Sequence, residues 1–130
     1  MKKQLINASI GLFLILTSCS SNDDNNSNTS IQINPPTWIQ GTWLESIDPD
    51  IGWRFTNNDI ISIIGNVEMS QKEQLELGAN NGQDVSVEED STSEYYSVQL
   101  NYPAGQTVNY YFEKLSETQI RLSPAIYTKQ

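Results

Sequence analysis

From Tyr95 to Lys114 the chain alternates apolar and polar residues with a period of two, and a Pro-Ala-Gly turn interrupts it once. Tyr96, Val98, Leu100 and Tyr102 fall on one face, with Ser97, Gln99 and Asn101 on the other. After Pro103-Ala104-Gly105, Val108, Tyr110 and Phe112 alternate with Thr107, Asn109 and Tyr111. Successive side chains of a strand point to opposite faces, so this stretch predicts an antiparallel hairpin with one buried face. A hairpin cannot stand alone in water, which commits the chain to a larger sheet.

Further short runs supply that sheet. Gly41 to Ser46 precedes the turn residues Asp48-Pro49-Asp50, and Gly52 to Thr56 places Trp53 and Phe55 on one face. Asn57-Asn58 is a turn candidate leading into the isoleucine-rich run Asp59 to Ile64. A short strand is expected near Val85 to Val87, and Ser116-Glu117-Thr118 turns the chain into Gln119 to Ser123. One segment departs from the pattern. Ser70-Gln71-Lys72-Glu73 fits a capping box, and Gly78 sits where a C′ glycine belongs, which predicts a helix over 71–77.

The N-terminal third carries an address. Lys2 and Lys3 precede an apolar run from Ile10 to Leu16, and Leu16-Thr17-Ser18 leads to Cys19, the only cysteine. The run is shorter than the roughly 20 apolar residues that span a bilayer. A charged start, a short apolar stretch and small residues before a cysteine form the layout of a bacterial lipoprotein signal. An ordinary secretory signal would leave Cys19 as an unpaired thiol in an oxidising compartment, whereas lipidation gives it a use. The expected organisation is a signal peptide over 1–18, lipidated Cys19 with a polar tether over 19–36, and a single domain over 37–130. Ser20 to Asn34 is rich in Asn, Ser and Asp and offers little apolar surface to offset its ordering entropy. Pro35-Pro36 marks the domain boundary.

Charge excludes one class of partner. The chain holds 16 acidic against 7 basic residues, a net charge of −9, and loss of the signal removes two of the lysines. Without a basic patch there is no electrostatic footprint for nucleic acid. Anionic head groups would repel the domain as well, so the membrane is a partner through the N-terminal lipid anchor alone.

Trp38-Ile39-Gln40-Gly41-Thr42-Trp43 contains a Gly-x-Trp near the start of the β domain. This resembles the first-strand motif of the lipocalin and calycin barrels. The resemblance implies that an arginine of the last strand packs over the motif tryptophan, and Arg121 has that place in chain order. Gly41, Trp43 and Arg121 are therefore the expected barrel-closing set. The domain is also similar to short lipocalin-like lipoproteins of Bacteroidetes, through Gly41-Thr42-Trp43 and Phe55-Thr56-Asn57-Asn58. The implied fold is all-β, a small antiparallel lipocalin-like barrel of 7–8 strands with one short helix. The domain is short for a barrel that encloses a ligand, and Trp53, Phe55, Tyr96, Tyr110 and Phe112 are enough to fill a small interior. Ser20, Ser21, Asn22, Asp23 and Asp24 loosely resemble the Bacteroidetes signal for surface export. A solvated tether has the same composition, so both a cell-surface and a periplasm-facing outer-membrane position stay open.

No residue set points to catalysis. The chain has no histidine, which removes the commonest general base and nearly every catalytic zinc site. No phosphate-binding glycine loop is present. Asp84, Glu88, Glu89, Asp90 and Glu94 form an acidic run that reads most simply as a solvated loop. Asp48-Pro49-Asp50-Ile51-Gly52 lacks the further ligands of a calcium loop. The expectation is a non-enzyme with no cofactor and no metal. Trp53, Tyr96, Tyr102 and Tyr110 are the candidate binding aromatics, with sheet stabilisation as their alternative role. Asp90-Ser91-Thr92 resembles a Bacteroidetes O-glycosylation acceptor, with Ser91 as the modified residue. The expected function is a lipid-anchored binding module for a small amphipathic ligand or a glycan. The alternative is an accessory or inhibitor subunit that docks to an envelope or host protein through its sheet face or acidic loop.

Overall fold

The computed structural model describes residues Ser30–Gln130. Cys19, the signal over 1–18 and the tether up to residue 29 lie outside the described residues. Among the described residues, nine strands and one α-helix follow in the order β1 (Gly41–Glu45), β2 (Ile51–Phe55), β3 (Ile60–Ile64), β4 (Val67–Ser70), α1 (Gln71–Asn80), β5 (Ser86–Ser91), β6 (Tyr95–Asn101), β7 (Thr107–Lys114), β8 (Gln119–Leu122) and β9 (Ala125–Lys129). A single turn of 3₁₀ helix, Pro103–Gly105, links β6 to β7. All strands join one antiparallel sheet in the order β4-β3-β2-β1-β9-β8-β7-β6-β5. The only non-sequential neighbours are β1 and β9, where Trp43 pairs with Lys129 and Glu45 with Tyr127.

The all-β class with a single helix is borne out, and the strand count is nine. The sheet is a curled half-barrel whose ladder ends at β4 and β5. Its curl carries β2 over β7 although three strands lie between them in the sheet. Trp53 meets Tyr110 with ring centroids 4.9 Å apart, and Phe55 meets Phe112 at 5.0 Å, both edge-to-face. Edge-to-face pairs put the positive ring edge on the negative face, and each adds about 0.5–1.5 kcal/mol beyond area burial. Tyr96, Phe112, Val98 and Leu100 are fully or almost fully buried.

Strand parity decides what enters this interior. Register pairs share a face, so Trp43, Trp53 and Phe55 lie on the concave side with Ile60, Tyr96, Val98, Leu100, Phe112, Ile120 and Tyr127. Arg121 follows inward-facing Ile120 and therefore points outward, where it pairs with Glu113 of β7. The expected contact of Arg121 with Trp43 is thus corrected. The cation over the Trp43 ring is Lys129, its Nζ 5.2 Å from the centroid. Gly41 explains how it gets there. With φ at +128°, Gly41 leaves room for the lysine stem, and an added Cβ would lie 3.0 Å from Lys129 Cε. Trp43 itself is buried, and its Nε1–H donates to the Ile39 carbonyl at 2.6 Å.

The ordered domain also begins before Thr37. Residues from Ser30 to Pro35 alternate exposed and buried, and Ile31 and Ile33 join the core. The Asn34 backbone N–H and side-chain amide donate to Glu89 of β5 at 2.8 and 3.2 Å. This strip packs its isoleucines under the sheet, so a boundary set by composition at Pro35-Pro36 falls too late.

The helix closes the other side of the concave face through Leu75, which is fully buried. Its N-cap is Ser70, as the capping box predicts, and the Ser70 hydroxyl accepts from Glu73 N–H at 3.0 Å. Asp59 fastens that turn to the sheet, since its carboxylate accepts from the Ser70 hydroxyl and from the Lys72 and Ile60 N–H groups. The helix runs to Asn80 rather than Leu77, and the positive-φ glycine after it is Gly82, not Gly78. Gly78 is inside the helix because a Cβ there would sit 2.7 Å from Pro103 Cγ and 3.1 Å from Val85 Cγ1.

Candidate binding site

Three of the four candidate aromatics are absorbed by the fold. Trp53 packs against Tyr110 and Phe112, and is itself buried. Tyr96 is fully buried, and its hydroxyl donates to Glu89 Oε1 at 2.5 Å. Burial, then that hydrogen bond, holds the Tyr96 hydroxyl well above the ordinary tyrosine range. Tyr110 is half-buried, and burial raises its pKa too. These rings are cross-strand packing on the concave side, and they occupy the volume a ligand calyx would need.

Tyr102 is different because it lines a surface groove of about 760 Å³ together with residues of the loops before β5 and β7. Its hydroxyl donates to Gln71 Oε1 of the helix. Burial, with the nearby Tyr110 and the Asp59 carboxylate, pushes its pKa up to about 12. Some of the polar groups around this groove bond to one another. Asn101 donates to Ser86 and accepts from Thr107 and Gln99. Gln83, Asp84 and Gln106, which also line the groove, make no side-chain hydrogen bond among the described residues.

The convex face carries a different arrangement. Tyr95 and Tyr111, diagonal neighbours on β6 and β7, stack with centroids 5.2 Å apart and planes 20° from parallel. Tyr95 is held by its hydroxyl, which donates to Asp90 Oδ2 at 2.5 Å, and this bond raises the Tyr95 pKa. Tyr111 is 53 % exposed. Beyond it lies a cleft of about 260 Å³ formed with Asn109, Glu113, Arg121, Leu122 and Ser123. Arg121 Nε and Nη2 donate to the same Glu113 oxygen, Oε2, at 3.1 and 2.6 Å. A guanidinium has five N–H donors, so three remain beyond these two bonds, and Glu113 Oε1 makes no side-chain hydrogen bond among the described residues.

Alternation places Tyr111 and Asn109 on the face opposite Tyr110, as the structure has them, whereas the candidate aromatics Tyr96, Tyr102 and Tyr110 lie on the apolar face. The useful signal was a tyrosine at a position where period two calls for a polar residue. Ser91 ends β5, and Asp90, Ser91 and Thr92 are all exposed. The acidic run is a strand rather than a loop: Glu88, Glu89 and Asp90 lie in β5, and Glu89 points to the concave side. Among the described residues no group of three or more His, Cys, Asp or Glu is placed to hold a metal ion. Among the same residues no helix is long and apolar enough to cross a membrane.

Fold and surface together define a small all-β half-barrel with a packed concave side and a solvent-facing tyrosine pair. No protein-family model, curated protein or solved structure matches the chain.

Proposed function

We propose that this protein is a lipid-anchored, non-catalytic binding module of the outer membrane, facing the cell surface, which takes its ligand on the outside of the sheet. The observation that carries the reading is the aromatic packing of the concave side. Trp53, Phe55, Tyr96, Tyr110 and Phe112 contact one another across the half-barrel, which leaves the surface clefts to do the binding. Anchoring rests on Cys19 and the signal before it. A domain held at a membrane in many copies gains avidity from weak single sites, so a shallow cleft suffices.

Intact mass of the native protein, purified from its membrane, tests the anchor. The expected mass is that of the chain from Cys19 with its acyl groups, and Cys19→Ser removes the acyl mass. A native chain without acyl groups would overturn the anchor. The same spectrum shows whether a glycan mass is carried, and loss of that mass in Ser91→Ala would assign it.

A second reading, docking to a protein partner, is favoured by one feature. The unpaired edge strand β4 exposes Val67 and Met69, next to exposed Ile64 of β3. The opposite edge is guarded by inward-facing Glu89 and the carboxylates beside it, which discourage strand addition. A protein partner would therefore take the β4 edge.

A further inference from the structure

We infer that the cleft beside Tyr111 on the convex face is a binding site for a neutral saccharide, one pyranose ring lying against the tyrosine. The inference rests on the binding-module reading above and names its ligand class and its place. A pyranose needs two things from a protein: a rigid apolar plane for its C–H face, and fixed donors and acceptors at its edge for the hydroxyls. Tyrosine supplies a large, rigid, amphipathic surface at low entropic cost. The Tyr111 ring is exposed and backed by Tyr95 on its other side, so it cannot fold down over the sheet. Tyr95 is fixed in turn by its bond to Asp90.

The edge groups form an ion pair on the surface. Arg121 and Glu113 hold each other through one carboxylate oxygen, which presents a donor set and an acceptor side by side at fixed spacing. A pair of vicinal hydroxyls, each both donor and acceptor, matches that array. Asn109 adds an amide that makes no side-chain hydrogen bond among the described residues.

Charge selects among saccharides. Arg121 is balanced locally by Glu113, and the whole chain is at −9, so an acidic glycan meets repulsion with no surplus cation to receive it. The cleft, at about 260 Å³, is smaller than the roughly 300–1,000 Å³ typical of small-molecule pockets. It fits one ring of a longer chain, with a dissociation constant on the order of a millimolar.

The test is an NMR titration of ¹⁵N-labelled Ser20–Gln130, which retains every core residue. The probes are cellohexaose, maltohexaose and mannohexaose, with oligogalacturonate as the acidic comparison. At least one neutral probe is expected to shift amides of Asn109–Glu113 and Arg121–Ser123. Tyr111→Ala, on an exposed position that leaves the fold intact by circular dichroism, should weaken binding at least about tenfold, as should Arg121→Gln. Oligogalacturonate should bind more weakly than the best neutral probe. Neutral binding that maps elsewhere and ignores Tyr111→Ala would overturn this site while the binding-module reading stands. Silence toward every probe would overturn the saccharide assignment. If a cell-envelope extract also shifted no amide, the binding-module reading would fall with it.

Discussion

Removing the Phe112 side chain is the sharpest test of how the half-barrel is held together. Phe112 is fully buried and its ring lies 5.0 Å from Phe55, 5.5 Å from Trp53, 5.9 Å from Tyr110 and 6.3 Å from Tyr96. It sits at the centre of the aromatic contacts that join β2 to β6 and β7 across the concave side, with Trp53–Tyr110 and Phe55–Tyr96 beside it. Phe112→Ala removes that contact and leaves a cavity lined by four aromatic rings, which are too stiff to collapse into it. Buried Phe→Ala changes cost about 3–5 kcal/mol, and the rigid lining argues for the upper half of that range. With a urea m-value of about 1–1.5 kcal/mol per M for a domain this small, the unfolding midpoint should fall by about 3–5 M. Tryptophan fluorescence in urea at low temperature reads this directly, since Trp53 sits at the edge of the cavity. Domain stabilities run about 5–15 kcal/mol, so this loss takes a large share, and Phe112→Leu, with a cost of about 1–1.5 kcal/mol, keeps the series measurable. A cost below about 1 kcal/mol for Phe112→Ala would refute the reasoning, because it would mean that this side of the sheet is already hydrated or free to relax.

Three further outcomes follow from the same packing. Gly52→Ala should destabilise by about 1–3 kcal/mol, because the new Cβ would lie 2.4 Å from the Trp43 carbonyl oxygen, and backbone cannot yield as a side chain does; a thermal melt within 2 °C of the parent, an order-of-magnitude threshold, would count against it. Lys129→Met should cost more than Arg121→Met, by about 0.5–1 kcal/mol of cation–π energy, and the reverse order in urea titrations would return Arg121 to Trp43. Alkaline pH should loosen the fold, since Tyr96, Tyr102 and Tyr110 all have folded pKa values above the ordinary 10.0, with Tyr102 at about 12. The stability they supply as neutral phenols is complete below pH 10 and is lost as pH rises toward 12 and beyond. Absorbance of the Tyr96, Tyr102 and Tyr110 tyrosinates should therefore rise together with loss of near-ultraviolet ellipticity, and titration of these three near pH 10 in a still-folded chain would contradict this.

The sheet was legible wherever strict alternation met a turn signal. Tyr95 to Asn101 and Thr107 to Lys114 are strands within a residue of the expected bounds, and the inward sets Tyr96, Val98, Leu100 and Val108, Tyr110, Phe112 were correct. Short strands without that contrast escaped. β4 reads Val-Glu-Met-Ser, too brief and too exposed to show a period, and β9 follows Pro124, where a chain usually leaves a sheet. Ile31 and Ile33 alternate like a strand, but they sit in a polar tract whose composition reads as tether. The cation over Trp43 was missed for want of parity: once Ile120 is inside, Arg121 must be outside, and Lys129 shares the face of Trp43. The convex site was half visible. Tyr111 and Asn109 were placed on the polar face, but stacking on Tyr95 and the pairing of Arg121 with Glu113 depend on register between strands, which no local pattern carries.

The central claim is that the concave side is filled and the ligand is taken outside. Native mass spectrometry of Ser20–Gln130, after incubation with a cell-envelope lipid extract and buffer exchange, addresses it most directly. The account predicts the bare chain mass and no retained lipid. A discrete added mass that survives exchange, and is lost when Trp53 or Tyr110 is changed, would place a ligand among the concave aromatics and contradict it.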